Sequence, residues 1–179
     1  MTIYSELKKD HQKVLSLLDQ MIATKKATPQ EWSAMVQQVR DELIPHSRAE
    51  EAILYNALRD RSPGQSKVLH AYGEHAQAEA LLRSLQAGDA FNVALTAAAK
   101  KLRDALAHHI AEEEGELFTA AQKTFSAEEA RQMGYAFVQM KPRIQEQGLL
   151  GTTVDLVANL LPSQLRDDSP PSSRSPERH

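Results

Sequence analysis

Six polar residues that can bind metal ions interrupt the apolar stripes of this chain. They are four histidines and two glutamates: His11, His46, Glu50, His75, His109 and Glu113. Each follows apolar neighbours at a spacing of three or four residues, which places it on the core-facing side of a helix. A buried, unpaired carboxylate is costly, and a shared cation would supply the compensating charge and bind the imidazole nitrogens. The pattern therefore predicts a buried metal site.

The metal-binding pattern occurs twice along the chain. His46-x-x-x-Glu50 and His109-x-x-x-Glu113 each place a histidine and a glutamate one helical turn apart, where both can bind one ion or neighbouring ions. A single histidine precedes each motif, by 35 positions in the first half and by 34 in the second. Two halves with two histidines and one glutamate each indicate a pseudo-two-fold site, which suits two metal ions better than one.

The donor types narrow the choice of metal. The chain contains no cysteine, which excludes a disulfide framework, an iron–sulfur cluster, a thiol nucleophile and a thiolate zinc site. Imidazole and carboxylate without thiolate favour iron, and less exclusively manganese or zinc. Copper is tolerated by these donors but has no specific support. We therefore expect two iron ions per chain, with manganese or zinc as substitutes.

Five helices are predicted to position these residues. Aromatic residues make up 5% of the chain and only seven glycines are present, which favours helices packed through Leu, Ala, Val and Met over sheets. The periodicity predicts helices over about residues 2–25, 28–61, 65–87, 89–123 and 126–140.

Local signals mark the expected helix ends. Thr28-Pro29 and Ser126 are typical of helix starts. Pro45 should kink or split the second helix, and Pro142 should stop the fifth. Gly88 should close the third helix in a left-handed conformation.

These elements predict an all-α protein whose core is an up-down-up-down four-helix bundle, with a short fifth helix and a disordered C-terminal tail. The bundle should occupy residues 1–125 and a C-terminal helical extension residues 126–161. Residues 162–179 are rich in Ser, Pro and charged residues and bury too little to offset their ordering entropy, so they form the predicted tail.

One family shares the order of these motifs. Over about residues 2–125 the chain resembles hemerythrin-like, or HHE cation-binding, domains, whose motif order is matched by His11, His46-x-x-x-Glu50, His75 and His109-x-x-x-Glu113. The resemblance implies a four-helix bundle with a non-haem di-iron centre bridged by an oxo or hydroxo group. It also implies that the four histidines are terminal ligands and that the two glutamates bridge the irons.

The chain departs from the oxygen-carrying hemerythrins at one position. Those proteins have a second histidine one turn before the third-helix ligand, where this chain has Ala71. His70 is one residue out of that register and should point elsewhere. One iron therefore has fewer histidines, as in bacterial relatives of the family. A small molecule such as oxygen, hydrogen peroxide or nitric oxide is then expected to react at the centre instead of being carried reversibly.

Two function classes remain open at this stage. One is an enzyme that turns over a small oxidant, for example by decomposing hydrogen peroxide. The other is a protein that binds or senses iron, oxygen or nitric oxide without turnover. A structural bundle with an incidental histidine array is a third, non-metal reading, which metal analysis would decide. The ligand set alone does not choose between the first two classes.

Other polar residues near the motifs receive less specific interpretations. His108 and Glu112 are expected to form a solvated pair on another helix face. Glu51 and Glu114 follow the two predicted bridging glutamates and are either outer acceptors or surface charges. Tyr72 is expected to pack in the core.

Composition also limits the partners. The formal net charge is −3 with both signs interspersed, and no basic run predicts nucleic-acid binding. No apolar stretch reaches the roughly 18–20 residues needed to cross a bilayer. The N-terminal residues have neither the basic patch nor the apolar run of a signal peptide. We therefore expect a cytoplasmic protein that contacts neither nucleic acid nor membrane. The oligomeric state is left open.

Overall fold

A computed structural model describes residues 1–61, 65–88 and 91–147. Its elements, in chain order, are α1 (Ile3–Ala23), α2 (Pro29–Glu50), a first π-helical turn (Glu51–Tyr55), α3 (Asn56–Arg61), α4 (Gln65–Gln86), α5 (Val93–Glu112), a second π-helical turn (Glu113–Leu117), α6 (Phe118–Thr124) and α7 (Ala127–Gln147). Every regular element in these ranges is helical, which confirms the all-α prediction. None of these helices is long and apolar enough to span a membrane.

Helices α1, α2, α4 and α5 form the four-helix bundle. Helix α1 packs against α2 and α5, and α4 packs against the same two helices from the opposite side. Helix α7 lies across α1 and α2. It approaches the start of α1 at Gly134, where a Cβ atom would lie 2.7 Å from the carbonyl carbon of Thr2. Only glycine permits this crossing without a shift of the backbone.

The helix starts follow the predicted capping chemistry. Thr28 and Glu31 form a reciprocal capping box around Pro29 at the start of α2. Ser126 and Glu129 make the same pair of bonds at the start of α7, with Glu129 Oε2 2.8 Å from the Ser126 nitrogen. Helix α5 begins four residues later than expected, because the Asn92 side chain accepts a bond from the Leu95 nitrogen.

Two predicted helix breaks and one predicted backbone conformation are wrong. Pro45 does not split the second helix, since α2 is continuous from Pro29 to Glu50. Helix α7 continues past Pro142 to Gln147, because Met140 and Ile144 on either side of the proline are both buried in the core. Helix α4 ends at Gln86, just before Gly88 as expected, but Gly88 does not adopt the left-handed conformation; a Cβ atom there would lie 2.5 Å from a methyl group of Leu95, which would have to move.

Some predictions lie outside the described residues. They are the turn at residues 62–64, the part of the C-terminal extension after residue 147, and the tail at residues 162–179.

The core consists of two apolar clusters with polar residues between them. Leu7 belongs to one cluster and Val14 to the other, and His11 lies between them on α1. Leu43 on α2 and Ile53 in the first π-helical turn belong to different clusters in the same way. The six predicted metal-binding residues occupy this level on every bundle helix, and we call them the polar layer.

Candidate metal centre

All six residues of the polar layer are buried side chains that the bundle brings together. Helix α1 contributes one, α2 two, α4 one, and α5 with the second π-helical turn contributes two: His11, His46, Glu50, His75, His109 and Glu113. Their donor atoms form two groups, each with its members within 4.8 Å of one another: His11, His46 and Glu50; and Glu50, His75 and His109. Glu50 belongs to both groups, so one carboxylate can reach two ions.

Each glutamate of the layer lies between imidazoles of the two halves. Oε2 of Glu50 is 3.6 Å from Nε2 of His46 and 3.5 Å from Nε2 of His75. Oε2 of Glu113 is 3.2 Å from Nε2 of His11 and 3.8 Å from Nε2 of His109. The imidazoles of His75 and His109 also lie close to each other, with 3.1 Å between their Nε2 atoms. All four Nε2 atoms therefore face the space between the two carboxylates.

Several atoms of the layer are buried without a hydrogen-bond partner. They are both side-chain oxygens of Glu50, both of Glu113, and Nε2 of His11. Folded proteins rarely leave buried polar atoms unsatisfied, and five at one place call for a specific explanation. Cations bound between the imidazoles and the carboxylates would satisfy them together. The donor set therefore fits a bound metal.

The pKa shifts in the layer differ in direction from residue to residue. Burial acts to lower the pKa of His11, but its contacts with Glu113 and Glu114 raise it overall. Burial and the nearby Glu113 carboxylate raise the pKa of Glu50 well above its usual value. Burial also acts to raise the pKa of Glu113, but its contacts with Glu50 and His11 lower it overall. Burial lowers the pKa of His46 to about 4, so this imidazole is neutral at pH 7 and has a lone pair for a metal ion.

A second set of carboxylates holds the outer nitrogen of each histidine. The Nδ1 atoms pair with acidic oxygens at 2.9, 3.2, 2.9 and 2.9 Å: His11 with Glu114, His46 with Asp10, His75 with Glu51, and His109 with Glu74. A proton on Nδ1 that is donated to a carboxylate leaves the Nε2 lone pair facing inward, which is the usual arrangement of metal-bound histidines. We call these four acids the outer carboxylates.

The outer carboxylates were only partly predicted. The sequence leaves two roles open for Glu51 and Glu114, outer acceptor or surface charge, and in the structure both accept from histidines of the polar layer. Asp10 and Glu74 were not identified as site residues. A signal existed, since each directly precedes a histidine of the polar layer. Each of these two acids accepts from a histidine on a neighbouring helix instead of its own.

Tyr55 breaks the symmetry of the two halves. Its ring stacks on His75 with 5.3 Å between ring centroids, and its hydroxyl is buried without a hydrogen-bond partner. Phe118 occupies the matching offset after His109 in the second half, as Tyr55 does after His46. The sequence repeat showed this difference but did not indicate that Tyr55 lies against the site.

The two other histidines in the described part of the chain lie where the helical register places them. His108 is exposed and 3.2 Å from Glu112, as predicted. His70 is also exposed, and its neighbour Ala71 is buried in an apolar cluster. Tyr72 packs half-buried against that cluster, with its hydroxyl 3.0 Å from Oδ1 of Asn56. None of these three side chains belongs to the polar layer.

Helix α7 supports the site from outside the bundle. Nζ of Lys141 is 2.5 Å from Oδ2 of Asp10 and 2.8 Å from Oε1 of Glu42. The same Asp10 oxygen holds His46, whose ring also meets the edge of Phe137. Lys141 therefore fixes the carboxylate that orients a histidine of the polar layer.

Removing this lysine is expected to weaken metal binding without unfolding the bundle. In Lys141→Ala, Asp10 loses its cation and His46 is held less firmly, so metal affinity should fall about 10-fold. Competition with a chelator measures the affinity, and circular dichroism checks the helix content. Arg131→Ala is the matched control, because Arg131 lies on α7 and pairs only with exposed Glu128 among the described residues. Equal losses in both variants would contradict the proposed role of Lys141.

The fold and the donor set define a four-helix-bundle metal-binding protein. Comparison with family models agrees: the hemerythrin HHE cation binding domain matches residues 2–121. The chain belongs to this family, as the motif order indicated, and the family binds metal cations.

One curated relative is similar over a large part of the chain. It is a protein called DNA nickase from Nostoc sp., 27% identical over 146 residues, which are 82% of this chain and 41% of the relative. The chain thus spans about two fifths of that relative's length. No solved structure matches the chain.

Proposed function

We propose that the polar layer holds two iron ions and that the protein decomposes hydrogen peroxide. The observation that carries this proposal is the set of five buried donor atoms without hydrogen-bond partners, which face one another between the halves of the bundle. Such a site is unfavourable without cations and complete with them.

The number and type of ions follow from the donors. Two groups of three donors share Glu50, which supports a pair of ions in place of a single one. Nitrogen and oxygen donors without sulfur suit iron, and manganese or zinc could substitute. Metal analysis of protein purified from iron-replete cells, with an electronic spectrum, tests this step. We expect about two iron atoms per chain and a ferric charge-transfer absorption.

Peroxide breakdown suits this site because it needs no further reactant. Iron bound by these residues would supply reversible ferrous–ferric redox chemistry. Two hydrogen peroxide molecules give one oxygen and two waters, so one molecule is oxidised as the other is reduced. The apolar clusters above and below the layer keep bulk water out, while the outer carboxylates keep the imidazoles in place.

Oxygen evolution from peroxide tests the proposed activity. Iron-loaded protein should evolve oxygen faster than metal-free protein or the same amount of free iron. Glu113→Ala should abolish the activity, because it removes two of the inward-facing oxygens. Glu116→Ala is the matched control, since Glu116 is exposed, lies in the same π-helical turn and pairs with Lys67 at the surface.

Evolution no faster than with free iron would favour the second candidate, a protein that binds iron, oxygen or nitric oxide without turnover. A stable nitric oxide adduct of the reduced protein would then support that class. The name of the Nostoc relative suggests DNA cleavage, but the similarity covers only 41% of that protein and this chain carries a net charge of −3. We expect no plasmid nicking by the metal-loaded protein.

A further inference from the structure

We propose that the chain has a second cation site on its surface, separate from the polar layer, which takes one divalent transition-metal ion such as Zn²⁺ or Co²⁺. Its ligands are His70, Glu74 and Glu112, whose donor atoms lie within 4.8 Å of one another where α4 and α5 pack side by side. We call these residues the surface trio.

The surface trio lies between two helices that each carry a histidine and a glutamate one turn apart. His70 and Glu74 are one turn apart on α4, and His108 and Glu112 are one turn apart on α5. Nε2 of His70 lies 3.7 Å from Oε1 of Glu74 and 3.4 Å from Oε2 of Glu112. One imidazole thus faces carboxylate oxygens from two different helices.

The separations suit an ion better than direct hydrogen bonds. A nitrogen–oxygen hydrogen bond is about 2.9 Å long, shorter than either separation. In a tetrahedral site with donors about 2.1 Å from the metal, neighbouring donor atoms lie about 3.4 Å apart. The His70–Glu112 separation of 3.4 Å has this value. Water can complete the coordination because His70 is exposed.

His108 positions one of the ligands. Its Nε2 is 3.2 Å from Oε1 of Glu112, the oxygen that does not face His70. This contact turns Oε2 of Glu112 towards the trio. His108 therefore acts through Glu112 and is not itself a ligand.

Glu74 connects the surface trio to the polar layer. Its Oε1 faces His70, while its Oε2 lies 2.9 Å from Nδ1 of His109. The two sites share this carboxylate but no ligand histidine. Changes at Glu74 should therefore affect both sites, and changes at His70 only the surface site.

Calorimetric titration of iron-loaded protein with Zn²⁺ tests the proposal. We expect about one further Zn²⁺ per chain. His70→Ala should weaken this binding by about tenfold or more and leave the iron content unchanged, and His108→Ala should weaken it less. Glu74→Gln should weaken Zn²⁺ binding and also loosen the iron. His179→Ala, which removes an imidazole far along the sequence from the trio, is the control.

The outcomes separate this proposal from the proposed function. Failure of the polar layer to hold iron would leave the His70-dependent Zn²⁺ binding intact. Absence of a further Zn²⁺ equivalent, or equal binding by unaltered protein and His70→Ala, would overturn the surface site whatever the iron content. Because His70 is exposed, its substitution does not disturb the fold, and circular dichroism of the variant verifies this.

Discussion

Replacing His109 with alanine is expected to remove most of the metal from the protein, whereas replacing its neighbour His108 leaves the content of the polar layer near that of the unaltered chain. His109 is buried with its Nε2 facing Glu113 and its Nδ1 bound to Glu74. His108 is one residue along the same helix, but its side chain is exposed. Loss of an outer partner alone lowers metal affinity about 10–100-fold, and loss of a ligand should lower it at least as much.

The measurement is iron per chain after reconstitution and a chelator wash that strips exposed sites. Both variants remove one histidine from the same turn of α5, so each controls for the other. Equal loss of iron in the two variants would contradict the assignment of the buried face of α5. Retention of two irons in His109→Ala would remove this histidine from the ligand set.

The four bundle helices could be predicted from sequence because periodicity and capping agree. Thr28-Pro29 and Ser126 begin helices as expected, and the apolar stripes supply both core clusters. The split at Pro45 and the stop at Pro142 were predicted wrongly, because a proline rule considers only the local backbone. Burial of the residues on both sides of Pro142 keeps α7 helical there.

The π-helical turns were not predicted, although their position is systematic. Each begins directly at or after a glutamate of the polar layer, at Glu51 and at Glu113. Ile53, Leu54 and Tyr55 are consecutive and all fully buried in the first of these turns. The second turn, Glu113–Leu117, has no such apolar run, so the two turns share no apolar signal in the sequence.

The polar layer could be predicted because each of its members interrupts an apolar stripe. Asp10 and Glu74 lie beside the stripes instead, so their sequence positions resemble ordinary surface acids. Only the packing of neighbouring helices shows that each reaches a histidine on another helix.

Substituting glutamine for Glu50 is expected to stabilise the metal-free protein and to destabilise the protein in the presence of iron. In the metal-free state, Glu50 is fully buried and neither of its oxygens has a hydrogen-bond partner. A glutamine of the same shape removes the ionisable group, and its amide can donate to Glu113. Relief of an unsatisfied buried polar group amounts to about 1–3 kcal/mol in the free energy of unfolding.

With iron present, the order of stability should reverse. A ligand at about 1,000 times its dissociation constant adds about 4 kcal/mol to the free energy of unfolding. Glu50 is the one residue that belongs to both buried donor groups among the described residues, so Glu50→Gln should lose most of this gain. Thermal unfolding of both proteins, with and without iron, measures the four stabilities.

The pH dependence of the metal-free proteins also checks whether Glu50→Gln raises or lowers the free energy of unfolding. Burial and the nearby Glu113 carboxylate raise the pKa of Glu50 above the ordinary value of 4.5. The folded state therefore keeps a proton that the unfolded state releases, and stability is lost as the pH rises from about 4.5 through the raised pKa. Glu50→Gln lacks this loss, so its advantage over the unaltered protein should widen as the pH rises from about 4.5 through the raised pKa.

Glu51→Gln is the matched control for this reversal. Glu51 is the next residue, but its oxygens are bonded to Nδ1 of His75 at 2.9 Å and to Nη1 of Arg48 at 3.0 Å. Its substitution weakens bonds that already exist, so it should lower the stability of the metal-free protein. If Glu50→Gln lowers that stability as well, Glu50 is satisfied in the folded chain without a cation. The buried oxygens of Glu50 would then no longer indicate a metal centre.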